Sequence, residues 1–112
     1  MIFALLLTPL MAMTAEKEYP IKAIKSNMVP MRDGTLLSTD LYLPADASGQ
    51  WPVILLRTVY GKNTAFDNSP VLNELLRRGY VIAIQDIRGR FESQGTYVAA
   101  TNRREDGYDT VE

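Results

Sequence analysis

Two short stretches carry the side chains that could do chemistry. They are RTVYGK, residues 57–62, and DIRGRFESQG, residues 86–95. Each follows an apolar run, so each lies where a buried strand gives way to a turn. In the first, Tyr60 offers a phenol O–H as a hydrogen-bond donor, and Gly61 lets the backbone turn sharply without blocking the space in front of it. Such a donor is useful where negative charge grows on a substrate oxygen. The same residues also admit a structural reading, with Arg57 paired to a carboxylate and Tyr60 half buried with its hydroxyl wet. In the second stretch Asp86 and Arg88 invite an ion pair that braces the turn, with Gly89 and Gly95 permitting its path. A structural role is the simpler reading of that pair.

What the chain lacks narrows the chemistry. It has no histidine and no cysteine. The commonest general base and the commonest transition-metal ligand are absent together, and neither a disulfide framework nor a thiolate metal site can form. The acids Glu105, Asp106 and Asp109 show no metal-ligand spacing and fall near the expected start of a helix, where negative charge is favoured. No metal and no cofactor is expected. Ser93 is not a nucleophile elbow, because Phe91 stands where G-x-S-x-G needs its first glycine. Gly89 and Gly95 do not make G-x-G-x-x-G, so a dinucleotide site is not expected either.

These turns need strands to carry them. From Ile21 to Leu43 the chain reads as two strands around MRDGT, with Asp33-Gly34 as the hairpin turn. In the second arm Leu37, Thr39, Leu41 and Leu43 share one face and Ser38, Asp40 and Tyr42 the other, which suits an antiparallel pair with one face buried. Val53 to Leu56 is apolar on both faces, as in a strand inside a sheet covered on both sides. DNSPVLNELLRRG reads as a helix: Ser69 caps it, Pro70 takes its first position, Val71, Leu72, Leu75 and Leu76 face inward, and Gly79 stops it. YVIAIQ is a second buried strand, which completes a right-handed βαβ unit with parallel strands. Ligands of open α/β sheets bind beyond the C-terminal ends of such strands, so the two turns should lie side by side at one rim. A last helix, capped by Thr101, carries Tyr108 and Val111 as its first inward residues. The expected class is α/β, an antiparallel hairpin followed by a βαβ unit, as at the opening of a larger sheet.

At 112 residues, 46% hydrophobic and 22% charged, the composition is that of one globular domain. Twelve basic and thirteen acidic side chains leave a net charge of −1. The longest basic runs are the pairs Arg77-Arg78 and Arg103-Arg104, so nucleic-acid binding is set aside. Residues 1–15, MIFALLLTPLMAMTA, carry no charge, and their apolar run is too short to span a bilayer. They read as a signal peptide cut after Ala15, which implies a secreted or periplasmic protein with no stable membrane anchor, and leaves residues 16–112 as the folded part. The alternative is an ordinary buried first element. Oligomeric state has no signal in the sequence.

Taken together, VPMRDGTLLSTDLYLPADASGQWPVILLRTVYGK, LLRRGYVIAIQDIRGRFESQGTYV and REDGYDTVE resemble the start of the catalytic domain of the cocaine-esterase-like (CocE/NonD) hydrolases. That group includes α-amino acid ester hydrolases, glutaryl-7-aminocephalosporanic acid acylases and Xaa-Pro dipeptidyl-peptidases. The resemblance runs from about Met28 to Glu112, with one departure at Val59, where the family has proline before the tyrosine. It implies an α/β-hydrolase fold and a Ser-Asp-His mechanism on a small-molecule ester, amide or short peptide. It gives the position of Tyr60 the role of oxyanion-hole donor, beside a backbone N–H following the nucleophile, and leaves Arg57, Asp86 and Arg88 to brace the rim. It also implies that the nucleophile elbow, acid and histidine follow Glu112, so that this chain alone is an inactive N-terminal fragment. The competing expectation is a small exported binding or structural module complete at this length. Continuing the reading frame past Glu112 separates the two: a G-x-S-Y-x-G elbow supports the first, a stop codon the second.

Overall fold

In chain order the elements of the computed structural model are β1 (Ile21–Pro30), β2 (Leu36–Pro44), β3 (Val53–Thr58), α1 (Lys62–Asp67), α2 (Pro70–Arg77), β4 (Val81–Asp86) and α3 (Arg103–Val111). It describes residues 20–45, 49–67, 69–99 and 103–112. The expected signal segment and the Thr101 cap lie outside them. The strands form a four-stranded sheet in the order β1-β2-β4-β3. As the sequence predicts, β1 and β2 are antiparallel and β3 and β4 parallel.

The hairpin closes where Asp33-Gly34 predicts. Gly34 adopts a φ of 84° and donates its N–H to Met31 O, while the Asp33 carboxylate accepts from Thr35 N. In β1 the register shifts between Ile24 and Asn27, and Ser26 sits at a φ of 55°. That irregularity turns the Ser26 N–H onto the Asp40 carboxylate, 2.7 Å away.

Burial in β2 extends to both faces: Leu37 and Thr39 on one side are as buried as Ser38 and Asp40 on the other. Tyr42 pairs with Ile82 and Asp40 with Ile84, so these residues share a face. Tyr42, Ile82 and Ile84 form the core with Leu72 and Leu76 of α2, and Phe66 of α1 stacks on Tyr42 with ring centroids 3.8 Å apart. Helices α1 and α2 thus cover the polar side of β2, whereas α3 lies on the other side, with Thr110 on Gln85. On the opposite face Leu41 joins Val29, Val53, Leu55 and Ala83 around an open apolar hollow of about 280 Å³. β3 is an edge strand whose Val53 and Leu56 are exposed, not the doubly covered strand its composition predicts.

Helix α2 begins as expected, with the Ser69 hydroxyl accepting from Leu72 N at 3.2 Å and Pro70 at the first position. It ends at Gly79, whose φ is 95°. Leu72 and Leu76 are buried, but Val71 stands off that stripe and is 66% exposed. Helix α1, absent from the sequence reading, follows Gly61 directly. Helix α3 docks by polar contacts rather than through Tyr108 and Val111, which are exposed. Its buried residue is Asp106, and Asp109 accepts from the backbone N–H and the guanidinium of Arg32 in the hairpin turn.

Candidate functional site

Thr58 and Asp86 are register partners at the C-terminal ends of β3 and β4, so the two chemistry-bearing turns leave the sheet together. In the first turn the Tyr60 N–H donates to Thr58 Oγ1 at 3.0 Å, and Val59 O accepts from Arg90 Nε at 3.2 Å. Gly61 takes a φ of 96°, and a Cβ there would come within 3.2 Å of the Phe91 ring. Glycine is therefore needed both for the backbone angle and to admit Phe91. The Tyr60 side chain is 78% exposed. Its phenol borders an open groove of about 420 Å³ lined by residues 56–60, Ile87 and Arg103. Among the described residues no protein group binds its hydroxyl.

The other three predicted residues also sit at this rim, but with different partners from those expected. Among the described residues Arg57 binds no carboxylate: its Nε donates to Gln85 Oε1 at 2.8 Å and its guanidinium reaches Arg103 O at 3.0 Å. Burial draws its pKa down. Asp86 and Arg88 do not pair. Asp86 is the last residue of β4 and shares the covered face with Ile82 and Ile84, whereas Arg88 has already left the strand on the other side. Arg88 forms a fork with Asp106, at 2.9 Å from Nε and 2.7 Å from the second nitrogen, and also reaches Asp33 and Thr35 at 2.8 Å. The Arg88 guanidinium, with the Thr35 N–H behind it, holds the Asp33 carboxyl down at about 2.

Asp86 instead staples the two turns. One carboxylate oxygen accepts from the Lys62 N–H at 2.8 Å and the other from the Glu92 N–H at 3.3 Å. Burial pushes its pKa up against those donors. Ser93 is buried and structural, its hydroxyl donating to Asp86 O at 2.6 Å and accepting from Ser38 N at 2.8 Å.

Sequence reasoning missed the charged cluster beneath this staple. Lys62 is 3% exposed, and its ammonium lies 2.8 Å from Glu92, 3.3 Å from Asp40 and 4.0 Å from Asp86. Burial works against its charge, but Glu92 and Asp40 outweigh it and the pKa is raised. Glu92, bonded by Lys62 and then by Ser26 and Ser38, is held at about 2. Asp40 is fully buried and also binds Lys25, whose ammonium donates to the Tyr42 hydroxyl at 2.6 Å. The one sequence hint was an aspartate inside LSTDLYL, a strand that its alternation already marks as half buried.

The assembled rim offers an exposed donor on a stapled turn. Among the described residues no acidic group is arranged to hold a metal ion, and no helix is long and apolar enough to cross a membrane.

Known proteins resemble this chain in sequence and fold. Residues 33–112 match the X-Pro dipeptidyl-peptidase (S15 family). A cocaine esterase from Rhodococcus sp. (strain MB1 Bresler) is 44% identical over 93 residues, which is 80% of this chain and 16% of that protein. An α-amino acid ester hydrolase superposes with a TM-score of 0.68 at 29% identity, covering 83% of this chain and 18% of its own. A CocE/NonD family hydrolase from Staphylococcus aureus superposes with a TM-score of 0.69 at 25% identity, covering 82% and 20%. The chain thus spans less than a fifth of the cocaine esterase and of the α-amino acid ester hydrolase. Its mixed sheet and flanking helices are those of the start of an α/β-hydrolase fold. By its sequence over residues 33–112 and by these relatives, all of them hydrolases, the chain belongs to the X-Pro dipeptidyl-peptidase (S15) family, with the cocaine-esterase-like CocE/NonD hydrolases.

Proposed function

We propose that this chain forms the opening of a serine hydrolase domain that cleaves ester or amide bonds, acyl or Xaa-Pro peptide, and that Tyr60 is one donor of its oxyanion hole. The observation that supports this reading is the phenol at the end of a parallel strand. It is exposed at 78%, has no protein partner among the described residues, and sits on a turn fixed through its backbone. As a nucleophile attacks the substrate carbonyl, charge builds on the carbonyl oxygen and the phenol O–H donates to it. A backbone N–H after the nucleophile supplies the second donor. Because the donor turn is held before substrate arrives, little reorganisation accompanies the reaction. Arg57, Asp86 and Arg88 act by bracing this rim.

A Ser-Asp-His triad needs a histidine, and this chain has none. On this reading the triad is supplied by residues other than those of this chain. The substrates are small esters, amides or short peptides, no cofactor takes part, and residues 1–15 serve as an export signal.

Hydrolysis of p-nitrophenyl esters, together with labelling by a fluorophosphonate, tests this reading. The 112-residue chain should show neither. The protein continued through a G-x-S-Y-x-G elbow should show both, with the label on that serine. Reproducible turnover by the pure 112-residue chain would overturn the assignment.

A further inference from the structure

Lys62 is a buried ammonium that the proposed chemistry does not use. Burying such a charge is costly, and replacing a buried ion pair by well-packed apolar residues is often neutral or stabilising. Fold stability alone is therefore a weak reason for a lysine here. Its connections are specific. The ammonium joins Asp40 on β2 to Glu92 in the turn after β4, and the N–H of the same residue is held by Asp86 at 2.8 Å. Lys62 thus fixes, through both main chain and side chain, the point two residues past Tyr60. On the other side the turn is held by Thr58 Oγ1 and Arg90. With no partner for the phenol among the described residues, the backbone of residues 59–62 decides where it starts from.

We propose that Lys62 is a positioning residue for Tyr60: its buried pairing with Asp40 and Glu92, together with the Asp86 staple, sets the turn that aims the phenol at the developing oxyanion. This rests on the reading of Tyr60 as an oxyanion donor. The lysine touches no substrate and acts only through the tyrosine.

The test is a double-mutant cycle in the full-length hydrolase, measuring kcat, KM and Tm. Lys62→Met should lower kcat by about tenfold to a hundredfold, with KM changed less than about twofold, because a donor misplaced by about 1 Å costs on that order. In a Tyr60→Phe background the same substitution should cost less than about twofold, since the coupled partner is gone. Equal losses in both backgrounds would overturn the proposal and make Lys62 a general structural residue. Unchanged kcat in folded Lys62→Met would also overturn it. If Tyr60→Phe alone leaves kcat unchanged, the oxyanion reading fails first, and the lysine's role fails with it. Where Lys62→Met does not fold, Glu92→Gln replaces it, because that side chain is half exposed and Asp40 still holds the lysine. It should lower kcat by about three- to tenfold, again only when Tyr60 is present, and no loss would overturn the proposal.

Discussion

The two turns at the rim are built in opposite ways. The turn after β4 is braced by its own side chain, with Arg88 gripping Asp33, Thr35 and Asp106 from two other segments. The turn after β3 has an exposed phenol with no partner among the described residues, and it is held by its backbone and by the lysine that follows. A side chain tied into three partners cannot also meet a substrate. One left free on a fixed backbone can. The difference separates a bracing turn from a presenting one, although both are short polar segments of similar sequence character.

Substitutions can break that contrast if it is wrong. In the full-length hydrolase, Tyr60→Phe should lower kcat by about a hundred- to a thousandfold, the usual cost of one oxyanion donor, while Tm stays put. Unchanged kcat would remove the presenting role. Arg88→Ala should show the reverse emphasis, lowering Tm by about 5–10 °C because it strands the buried Asp106 carboxylate. Thermal melts of the two variants side by side decide whether the turns differ in kind.

Gly61→Ala probes the presenting turn without touching its phenol. It forces alanine into a φ of 96° and against the Phe91 ring, so it should cost about 1–2 kcal/mol in chemical denaturation. A stability equal to the parent would mean that the turn is not fixed. The mildest effect is acid dependence. Glu92 is lowered from its ordinary 4.5 to about 2, and Asp33 from 3.8 to about 2. Folded-state values below the unfolded ones stabilise above the unfolded pKa, and the gain is lost as pH falls through about 4.5 towards about 2. Tm should decline across that window, and less steeply in Glu92→Gln. An identical slope in the variant would show that the lysine cluster contributes nothing to the acid response.

Local chemistry made much of the fold legible. Asp33-Gly34 dictated a hairpin, Ser69-Pro70 a helix start and Gly79 its end, because each acts within a few residues of itself. Helix α1 escaped notice because KNTAFD is a short turn with no apolar period to read. The Asp86–Arg88 pair failed for a related reason. Neighbours in sequence look like partners, but strand alternation sends Asp86 under the sheet while Arg88 leaves it. Tyr108 and Val111 are expected inside because they are apolar, yet β4 offers α3 Gln85 and the turn after it offers Arg88, so Asp106 and Thr110 turn inward instead.

The sequence by itself determined the order of the four strands and of the helices at Pro70 and Arg103, the turn that carries Tyr60 and Gly61, and the absence of any histidine. These follow from residue types, short-range backbone preferences and composition. Only the tertiary structure decided that helices α1 and α2 pack on the Tyr42 face of β2, that Lys62 is buried among Asp40, Asp86 and Glu92, and that Arg88 serves Asp33 and Asp106. Those outcomes depend on strand register and on contacts between residues far apart in the chain, and no local pattern encodes such partners.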